Sequence, residues 1–276
     1  MNPPFLLDTH VFVAEAEDLV SENRGAKSER KVWEDIGERD PYLGTSGPTR
    51  AIPKAGLLAK SDDSLFKVIN PGAFVLDVGC GYGRNCIPLA RLHGCHVVAC
   101  DISSAMSSNV KEEGIPIILS DLRKLPFRSG AFDYLICSVV LIHLPRRDTA
   151  TAITELRRVG RQVLIIMPNP LGPASYFGLL PVFAALLVWV KGQRGFSILR
   201  DVPTLRGYLV NYYLPWRFTK LLKHQFSAVT LRSASGGNPS PYLSDRVLYV
   251  CTGTSQTVVR DRGMKIHESP CPHSPT

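Results

Sequence analysis

Disulfide pairs are not expected in this sequence. The 276-residue chain has seven cysteines, an odd number, and none of them belongs to a Cys-x-x-Cys pair. Most lie in strongly apolar runs, where a thiol behaves as a small hydrophobic group. We therefore expect reduced thiols and a cytoplasmic protein.

Metal-ligand spacing is also missing. Two histidines and three cysteines lie close together, but their spacing matches no common zinc pattern and part of the stretch has the composition of a buried strand. They are Cys86, His93, Cys95, His96 and Cys100. No metal is expected.

The N-terminus lacks the basic region that opens a secretory signal peptide. Asp8, Glu15, Glu17 and Asp18 interrupt the part that would have to be apolar. We expect no export, and we interpret residues 1–70 as an arm followed by cap helices.

One segment of the chain has no charged side chain, and the charges around it are almost all positive. Residues 174–194 read ASYFGLLPVFAALLVWVKGQR, and the first seventeen have no charged side chain. Between positions 161 and 232 there are nine basic residues and one acidic residue, Asp201, a net charge of +8 that equals the formal charge of the whole chain. The stretch 211–224, NYYLPWRFTKLLKH, adds tyrosines and Trp216 to these cations.

The middle of the chain alternates predicted strands with helical stretches. The strand candidates are AFVLDVG, HVVACD, PIILSD, FDYLICSV and QVLIIMP, and the alternation predicts a parallel sheet with helices on both faces. One helix is expected to open on Ser103 with Met106 and Val110 on one face, and another to run from about Asp148 to Gly160. FSAVTLRS and DRVLYVCTG predict an antiparallel pair that closes the sheet.

The stretch VLDVGCGYGRN, residues 75–85, is the most informative. A buried strand ends at Asp77, and Gly79, Gly81 and Gly83 follow before a helix. Glycines there allow a sharp turn and let a ligand lie against the backbone, opposite the N–H groups of the helix N-terminus. A dinucleotide site would need a further glycine at position 84, which is Arg84.

The run from Asp77 to Gly83 resembles motif I of the class I S-adenosylmethionine-dependent methyltransferases. Residues 73–168 as a whole are similar to the UbiE-like branch of that family, which acts on small molecules, quinones and some tRNAs. The resemblance implies a Rossmann-like α/β fold: a seven-stranded, mostly parallel sheet with helices on both faces and an antiparallel closing strand. S-adenosylmethionine would be the cofactor of this domain. We expect the domain to span residues 71–253, with an apolar and basic helical cap inserted at about 170–224. Residues 254–276 are expected to form a disordered tail.

The resemblance also assigns residues to the donor. Asp101 and Ile102 would lie at the ribose and Asp121 and Leu122 at the adenine, and we expect Ser138 at the amino acid moiety. The other expected donor-site residues form the glycine turn: Asp77, Gly79, Cys80, Gly81, Tyr82 and Gly83. Taken singly, Asp101 could instead cap a helix, Asp121 could be a turn residue and Ser138 a core serine.

His143 is the candidate catalytic residue, because it follows the fourth predicted strand at the mouth of the site. Methyl transfer from a sulfonium is an in-line displacement that needs a base only when the acceptor must lose a proton. An imidazole suits that task near neutral pH. The alternative is a histidine that shapes the pocket or caps the strand end.

The family commonly has a Leu-Arg/Lys-Pro-Gly-Gly turn before the fifth strand, and this chain departs from it. Here the sequence runs ELRRVGRQVLII. Gly160 alone is therefore expected to reverse the chain.

The apolar run at 174–190 lies between two parts of one predicted sheet, which excludes a single membrane crossing. Seventeen residues also fall short of the about 20 needed to span hydrocarbon. We interpret the run as the roof of an acceptor pocket or as a membrane-facing lip, with aromatic and cationic side chains beside it that suit anionic headgroups. The alternative is an ordinary amphipathic helix with a solvated basic face.

The favoured hypothesis is methyl transfer to a hydrophobic small molecule, quinone-, lipid- or polyketide-like, by a cytoplasmic enzyme that is peripheral on an anionic membrane surface. The alternative is an enzyme that methylates tRNA or another RNA through its basic surface. Against RNA, a run of seventeen uncharged residues cannot contact phosphate. A third hypothesis is a non-catalytic protein that binds the donor.

Overall fold

The computed structural model describes residues 24–39, 63–172, 202–203, 209–234, 240–242 and 244–253. The helices are α1 (Arg24–Arg39), α2 (Asp63–Phe66), α3 (Cys86–Leu92), α4 (Ser108–Glu112), α5 (Thr149–Val159) and α6 (Pro215–Lys223), with a 3₁₀ turn at Leu141–His143. The strands are β1 (Phe74–Val78), β2 (His96–Asp101), β3 (Ile117–Leu119), β4 (Phe132–Ser138), β5 (Gly160–Pro168), β6 (Val202–Pro203), β7 (Leu209–Val210), β8 (Ala228–Ser233) and β9 (Arg246–Thr252).

A seven-stranded sheet organises the fold, with the strand order β3-β2-β1-β4-β5-β9-β8. The pairs among β1 to β5 are parallel. β9 runs antiparallel between β5 and β8. The predicted Rossmann-like sheet and its antiparallel closing pair are therefore confirmed, and β6 and β7 form a separate two-stranded sheet.

The strands are apolar on both faces because helices cover both faces. Leu76 and Val78 of β1 belong to one buried cluster, together with Leu156 of α5 and Phe218 of α6. Val75, which alternates with them, belongs to a second cluster that contains residues of α3. This alternation across the sheet is the physical origin of the two cores.

One predicted helix is shorter than expected. Residues 104–107 form a turn, and α4 begins at Ser108 instead of Ser103. Met106 and Val110 are nevertheless both buried, as their spacing predicted. The other helix has the predicted ends, with Asp148 at its N-cap and Gly160 at its C-cap.

Gly160 does not reverse the chain through a left-handed conformation. Its φ is −98°, an extended value, and it is already the first residue of β5. A Cβ at this position would lie 2.6 Å from the Cβ of Leu135. The helix ends at Val159 and the strand starts at Gly160, so the chain reverses at this single residue as expected, and the missing side chain also allows the close approach of β5 to β4.

The topology of the sheet constrains how the apolar run at 174–190 can relate to a membrane. β5 and the closing pair β8 and β9 lie in one sheet, which is the premise that excludes a single membrane crossing. Residues 174–190 themselves, like the arm at 1–23 and the tail at 254–276, lie outside the described residues. Within the described part of the chain, no helix combines the length and the hydropathy of a membrane span.

Candidate functional site

The predicted site residues converge on one edge of the sheet. β1 lies between β2 and β4, so the strand order reverses there, and open α/β sheets bind ligands beyond the carboxyl ends of the strands at such a point. The structure brings all the predicted residues to the carboxyl-terminal ends of β1 to β4 and to the loops that follow them. This edge is the candidate site.

The glycine turn after β1 is fixed to the neighbouring strand. The backbone N–H groups of Gly79 and Cys80 both donate to the carbonyl oxygen of Cys100, at 2.7 and 3.1 Å. Gly79, Gly81 and Gly83 all have positive φ, at 69°, 48° and 91°. The turn is thus a rigid left-handed cradle that glycine adopts at no steric cost.

The three glycines differ in what surrounds them. A Cβ on Gly79 would lie 2.2 Å from Val140, and one on Gly83 would lie 2.3 Å from Ile87. A Cβ on Gly81 would have only the Met106 Cε within 4 Å, at 3.8 Å. Gly79 and Gly83 therefore allow close packing within the protein, while Gly81 borders open space where a ligand can lie against the backbone, as the implied donor requires.

Asp77 closes the base of this cradle. It is 1% exposed, and its Oδ2 accepts a hydrogen bond from the backbone N–H of Cys86 at 3.1 Å, at the start of α3. Cys80 is also buried, and a hydrogen bond with Cys86 and desolvation raise the pKa of its thiol well above the usual value. Both residues shape the turn from inside the protein. The backbone carbonyl of the half-buried Tyr82 accepts a hydrogen bond from Asn109 at 2.8 Å.

Asp101 ends β2 and joins the cradle to the next loop. Its Oδ2 accepts the N–H of Gly81 at 2.8 Å, and its Oδ1 accepts the N–H of Ser103 at 3.0 Å. Burial raises the pKa of Asp101, against the opposing effect of the N–H groups of Ser103, Gly81 and Ile102. A carboxylate has about four acceptor positions, so these contacts leave room for a hydroxyl donor.

Asp121 follows β3 and is bound to Arg123. The N–H and Nε of Arg123 lie 2.8 and 2.9 Å from Oδ1, and Nη2 lies 2.6 Å from Oδ2. Leu122 is 6% exposed and belongs to the core cluster of Leu76. Sequence reasoning placed Asp121 at the site but missed its partner.

Ser138 ends β4, pairs in register with Ile166 of β5 and is half-buried. The next residue, Val139, has a φ of 61°. A left-handed conformation in a β-branched residue stores about 1–3 kcal/mol of strain, and such strain is found at functional sites. It redirects the chain so that Val140 packs on Gly79 and the 3₁₀ turn begins.

His143 ends that 3₁₀ turn. Its Nδ1 lies 2.9 Å from the carbonyl oxygen of Leu209 in β7. A carbonyl only accepts, so Nδ1 carries the proton and the lone pair of the neutral ring is on Nε2. Desolvation lowers the pKa of His143 below its ordinary value, which keeps the ring neutral near pH 7. An uncharged imidazole with a fixed tautomer can accept a proton.

Helix α1 reaches the site from a distant part of the sequence. Glu34 accepts hydrogen bonds from the backbone N–H groups of Ser104 and Ala105, both at 2.9 Å, and from the Ser103 hydroxyl at 3.0 Å. Trp33 contacts His143 edge-on, with ring centroids 4.9 Å apart. Neither residue was singled out from the sequence. The signal available was the amphipathic pattern of α1, which predicts a packed face but not its target.

The segment after β7 clamps the loop that carries His143. Asn211 is fully buried; its backbone N–H donates to the carbonyl of Ile142 at 2.7 Å and its Nδ2 to that of Leu144 at 2.8 Å. Tyr213 is hydrogen-bonded to the Thr149 hydroxyl at 2.9 Å. These contacts fix the 3₁₀ turn and the start of α5. No local pattern in the sequence indicates this clamp.

No group of three or more His, Cys, Asp or Glu side chains placed to hold a metal ion occurs among the residues that the structure describes. The six cysteines in that part of the chain form no disulfide and are buried.

Comparison with known proteins gives the family. A family profile described as a methyltransferase domain matches residues 75–162. The O-methyltransferase rstn1 of Aspergillus nomiae is 31% identical over 51% of this chain and 72% of its own length. The demethylmenaquinone methyltransferase of Streptomyces avermitilis is 35% identical over 36% of this chain, and the match spans 45% of that protein.

A solved structure shares the fold. Magnesium protoporphyrin IX methyltransferase from Synechocystis, crystallised with bound S-adenosylhomocysteine, aligns with a TM-score of 0.53 and 20% identity over 82% of this chain and 99% of its own. The methyltransferase relatives and this fold match support the family resemblance that the glycine turn indicated. The chain belongs to the class I S-adenosylmethionine-dependent methyltransferases, enzymes whose cofactor is S-adenosylmethionine.

Proposed function

We propose that this protein methylates an ionisable oxygen of a hydrophobic small molecule, with His143 as the general base. The observation that carries the proposal is a neutral imidazole three residues after Val140, which packs on Gly79 of the cradle; its Nδ1 is fixed by the Leu209 carbonyl at 2.9 Å and its pKa is lowered by burial. A base with a pKa below neutral is already unprotonated when the acceptor arrives. The bound donor supplies a methyl group activated by its sulfonium.

The geometry of the cradle supports the following assignment of donor-binding residues. The backbone at Gly81 borders the open space, and Asp101 has acceptor capacity for the ribose hydroxyls, with Ile102 and Tyr82 beside it. Asp121 and Leu122 serve the adenine end, and Ser138 serves the amino acid end. Asp77, Gly79, Cys80 and Gly83 act from within the protein by fixing the turn.

Proton transfer completes the proposed reaction. The acceptor hydroxyl would give its proton to Nε2 of His143 as its oxygen bonds to the methyl carbon and the bond from that carbon to the donor sulfur breaks, with S-adenosylhomocysteine as the leaving group. The Leu209 carbonyl stabilises the imidazolium that results, because Nδ1 remains its donor. The chain thus orients the acceptor and removes one proton, and the release of that proton to solvent resets the ring.

The names of the relatives support a hydrophobic acceptor. They are an O-methyltransferase, a demethylmenaquinone methyltransferase and, in fold, a magnesium protoporphyrin methyltransferase. Menaquinone and porphyrin are large apolar molecules. The edge of Trp33 beside His143 offers such a molecule an apolar aromatic wall.

The outer face of α6 supports contact with an anionic membrane. Trp216 is 51% exposed, and the exposed Arg217, Lys220 and Lys223 follow it at helical spacing. Phe218 and Leu222 bury the opposite face. An aromatic side chain among cations is the pattern that inserts at a headgroup region, and each cation near such a surface contributes about 1 kcal/mol.

RNA is the second candidate, because the same face of α6 could contact phosphates and stack a base on Trp216. One experiment separates the two. The protein is incubated with methyl-labelled S-adenosylmethionine and a cell extract, and the label is followed into organic-extractable and RNA fractions. The proposal expects it in the organic fraction, with an Asp101→Asn variant as the donor-site control. Label confined to RNA would replace the proposal with the second candidate.

Membrane contact is tested by flotation with anionic liposomes. The triple variant Arg217→Glu, Lys220→Glu and Lys223→Glu is compared with a control of equal charge change at exposed positions elsewhere, Lys67→Glu, Lys111→Glu and Arg128→Glu. The first variant should lose flotation and the control should keep it. Equal losses would mean that net charge, and not this face, governs binding.

A further inference from the structure

Arg123 lies at the centre of a cluster of carboxylates that come from three elements. Its Nη2 lies 2.6 Å from Asp121 and 3.0 Å from Glu29 of α1, and its Nη1 lies 2.8 Å from Asp148 at the start of α5. The side chain of Arg123 is 9% exposed, equal to that of Asp121. One guanidinium therefore joins the loop after β3 to two helices.

The geometry at Asp121 is that of a planar clamp. Nε of Arg123 lies 2.9 Å from one carboxylate oxygen and 3.0 Å from the other, and Nη2 lies 2.6 Å from Oδ2. The backbone N–H of Arg123 adds a contact to Oδ1 at 2.8 Å. A guanidinium makes this fork because its donors are fixed in one plane, which a lysine cannot reproduce.

Counting hydrogens leaves one acceptor position on Asp121. The four contacts come from three hydrogens, because the single Nε hydrogen is shared between both oxygens. A carboxylate has about four acceptor positions. The side chain is therefore held in a fixed plane with capacity for one more donor.

The charge of the cluster favours a donor in that position. Arg123 faces three carboxylates, and the only further cation that contacts them in the described part of the chain is Arg147, which lies 3.6 Å from Asp148, so acidic groups still outnumber basic ones by three to two. Asp121 lies two residues after the end of β3, next to the carboxyl end of β2 where Asp101 lies. An N–H group that arrives beyond Asp101 thus meets a side chain whose plane Arg123 has fixed.

We infer that Arg123 is a positioning residue for the adenine of the donor: it holds the Asp121 side chain in a fixed plane, so that the remaining acceptor position receives the exocyclic amino group. This inference rests on the proposed assignment of Asp121 to the adenine end. The inference adds that recognition of adenine depends on Arg123, a residue that does not touch the base. Glu29 and Asp148 bind the guanidinium of Arg123 and so help to keep it against Asp121.

The test measures selectivity for the base. S-adenosylhomocysteine and S-inosylhomocysteine differ in that a 6-amino group, a donor, is replaced by a 6-oxo group, an acceptor. Dissociation constants for both are measured by calorimetry with wild type, Arg123→Lys and Arg123→Gln. Wild type should prefer the adenine compound by about tenfold or more, as expected for one charge-assisted hydrogen bond. The variants should reduce the preference to about threefold or less.

Arg158→Lys is the matched control. Arg158 also clamps a carboxylate, Glu155 at 2.7 Å, and it braces the carbonyls of Leu125 and Phe127 in the same loop. Its loss should lower stability and weaken both ligands equally, without a change in their ratio. Asp121→Asn shows how much of the preference for the adenine compound remains when the carboxylate itself is lost.

Three results would overturn the inference. One is that the wild-type protein binds both compounds equally well, a result that does not depend on whether any variant folds. Another is Arg123 variants that lose affinity for both ligands by the same factor. The third is tighter binding of the adenine compound by those variants, which would mean that Arg123 competes with the amino group. None of these depends on methyl transfer, so failure of the proposed reaction is a separate outcome.

Discussion

Trp33 packs edge-on against His143, with ring centroids 4.9 Å apart, although the two residues are more than a hundred positions apart in the sequence. Helix α1 therefore covers one side of the imidazole that we propose as the base. Burial of that ring is what lowers its pKa. The N-terminal helix thus contributes to the chemistry of the site as well as to its packing.

Trp33→Ala should weaken the acceptor side of the site. Loss of the aromatic wall is expected to raise KM for an aromatic acceptor by about threefold to tenfold, since an aromatic contact contributes about 0.5–1.5 kcal/mol. Trp33→Phe, which keeps a ring, should recover most of the loss. Calorimetric affinity for S-adenosylhomocysteine should stay unchanged in both; a parallel loss of donor affinity would show that Trp33 acts through the whole cradle.

Gly81→Ala and Gly79→Ala should fail in different ways. The Cβ at position 81 meets no backbone, so the folded state loses about 1–2 kcal/mol from the left-handed conformation, and the methyl group enters the donor space. The Cβ at position 79 collides with Val140 inside the protein. We expect Gly81→Ala to lose donor affinity with a small fall in stability, and Gly79→Ala to unfold at clearly lower urea. The opposite ranking would contradict the placement of the donor.

Glu34→Gln should loosen the turn after Asp101. Burial acts to raise the pKa of Glu34, but hydrogen bonds from Ala105, Ser104 and Ser103 outweigh it, and the pKa is lowered. The ionised form is therefore favoured in the folded state, and its contribution is present above the ordinary glutamate pKa and lost as pH falls through the lowered value. A loss of about 1–2 kcal/mol in urea unfolding at pH 7 is expected for these partly exposed bonds. Glu38→Gln, exposed on the same helix, is the control and should change little.

The pH dependence of methyl transfer should report His143. A base acts when unprotonated, so kcat/KM should rise with pH through its pKa and then level off. Because burial lowers that pKa, the midpoint should fall below the ordinary value of about 6.5. Trp33→Ala exposes the ring and should move the midpoint upward. A midpoint above 7 in wild type would assign the titration to another group.

The sequence predicted those parts of the fold and the site that depend on local pattern. Asp77, Asp101 and Asp121 each follow an apolar run, and because the strands are parallel their ends meet at one edge, as the structure confirms. The glycines of the first turn could be identified because they directly follow the apolar run of β1. Strand order beyond this needed the family resemblance.

The rest of the site depends on contacts that no local pattern encodes. Glu34 bonds to residues about seventy positions away, and Glu29 to Arg123, ninety-four away. The left-handed φ of Val139 runs against its residue type, and sequence propensity predicts the opposite. The Leu209 carbonyl that fixes His143 belongs to a two-residue strand too short to show a period.

The most direct test of the account is methyl transfer by His143→Gln, measured together with donor affinity on the same sample. Wild type and variant are given labelled S-adenosylmethionine and the organic-extractable fraction of a cell extract. The account predicts equal donor affinity and transfer into that fraction slowed by about a hundredfold or more, the usual contribution of a general base. Transfer at the wild-type rate by His143→Gln would contradict it.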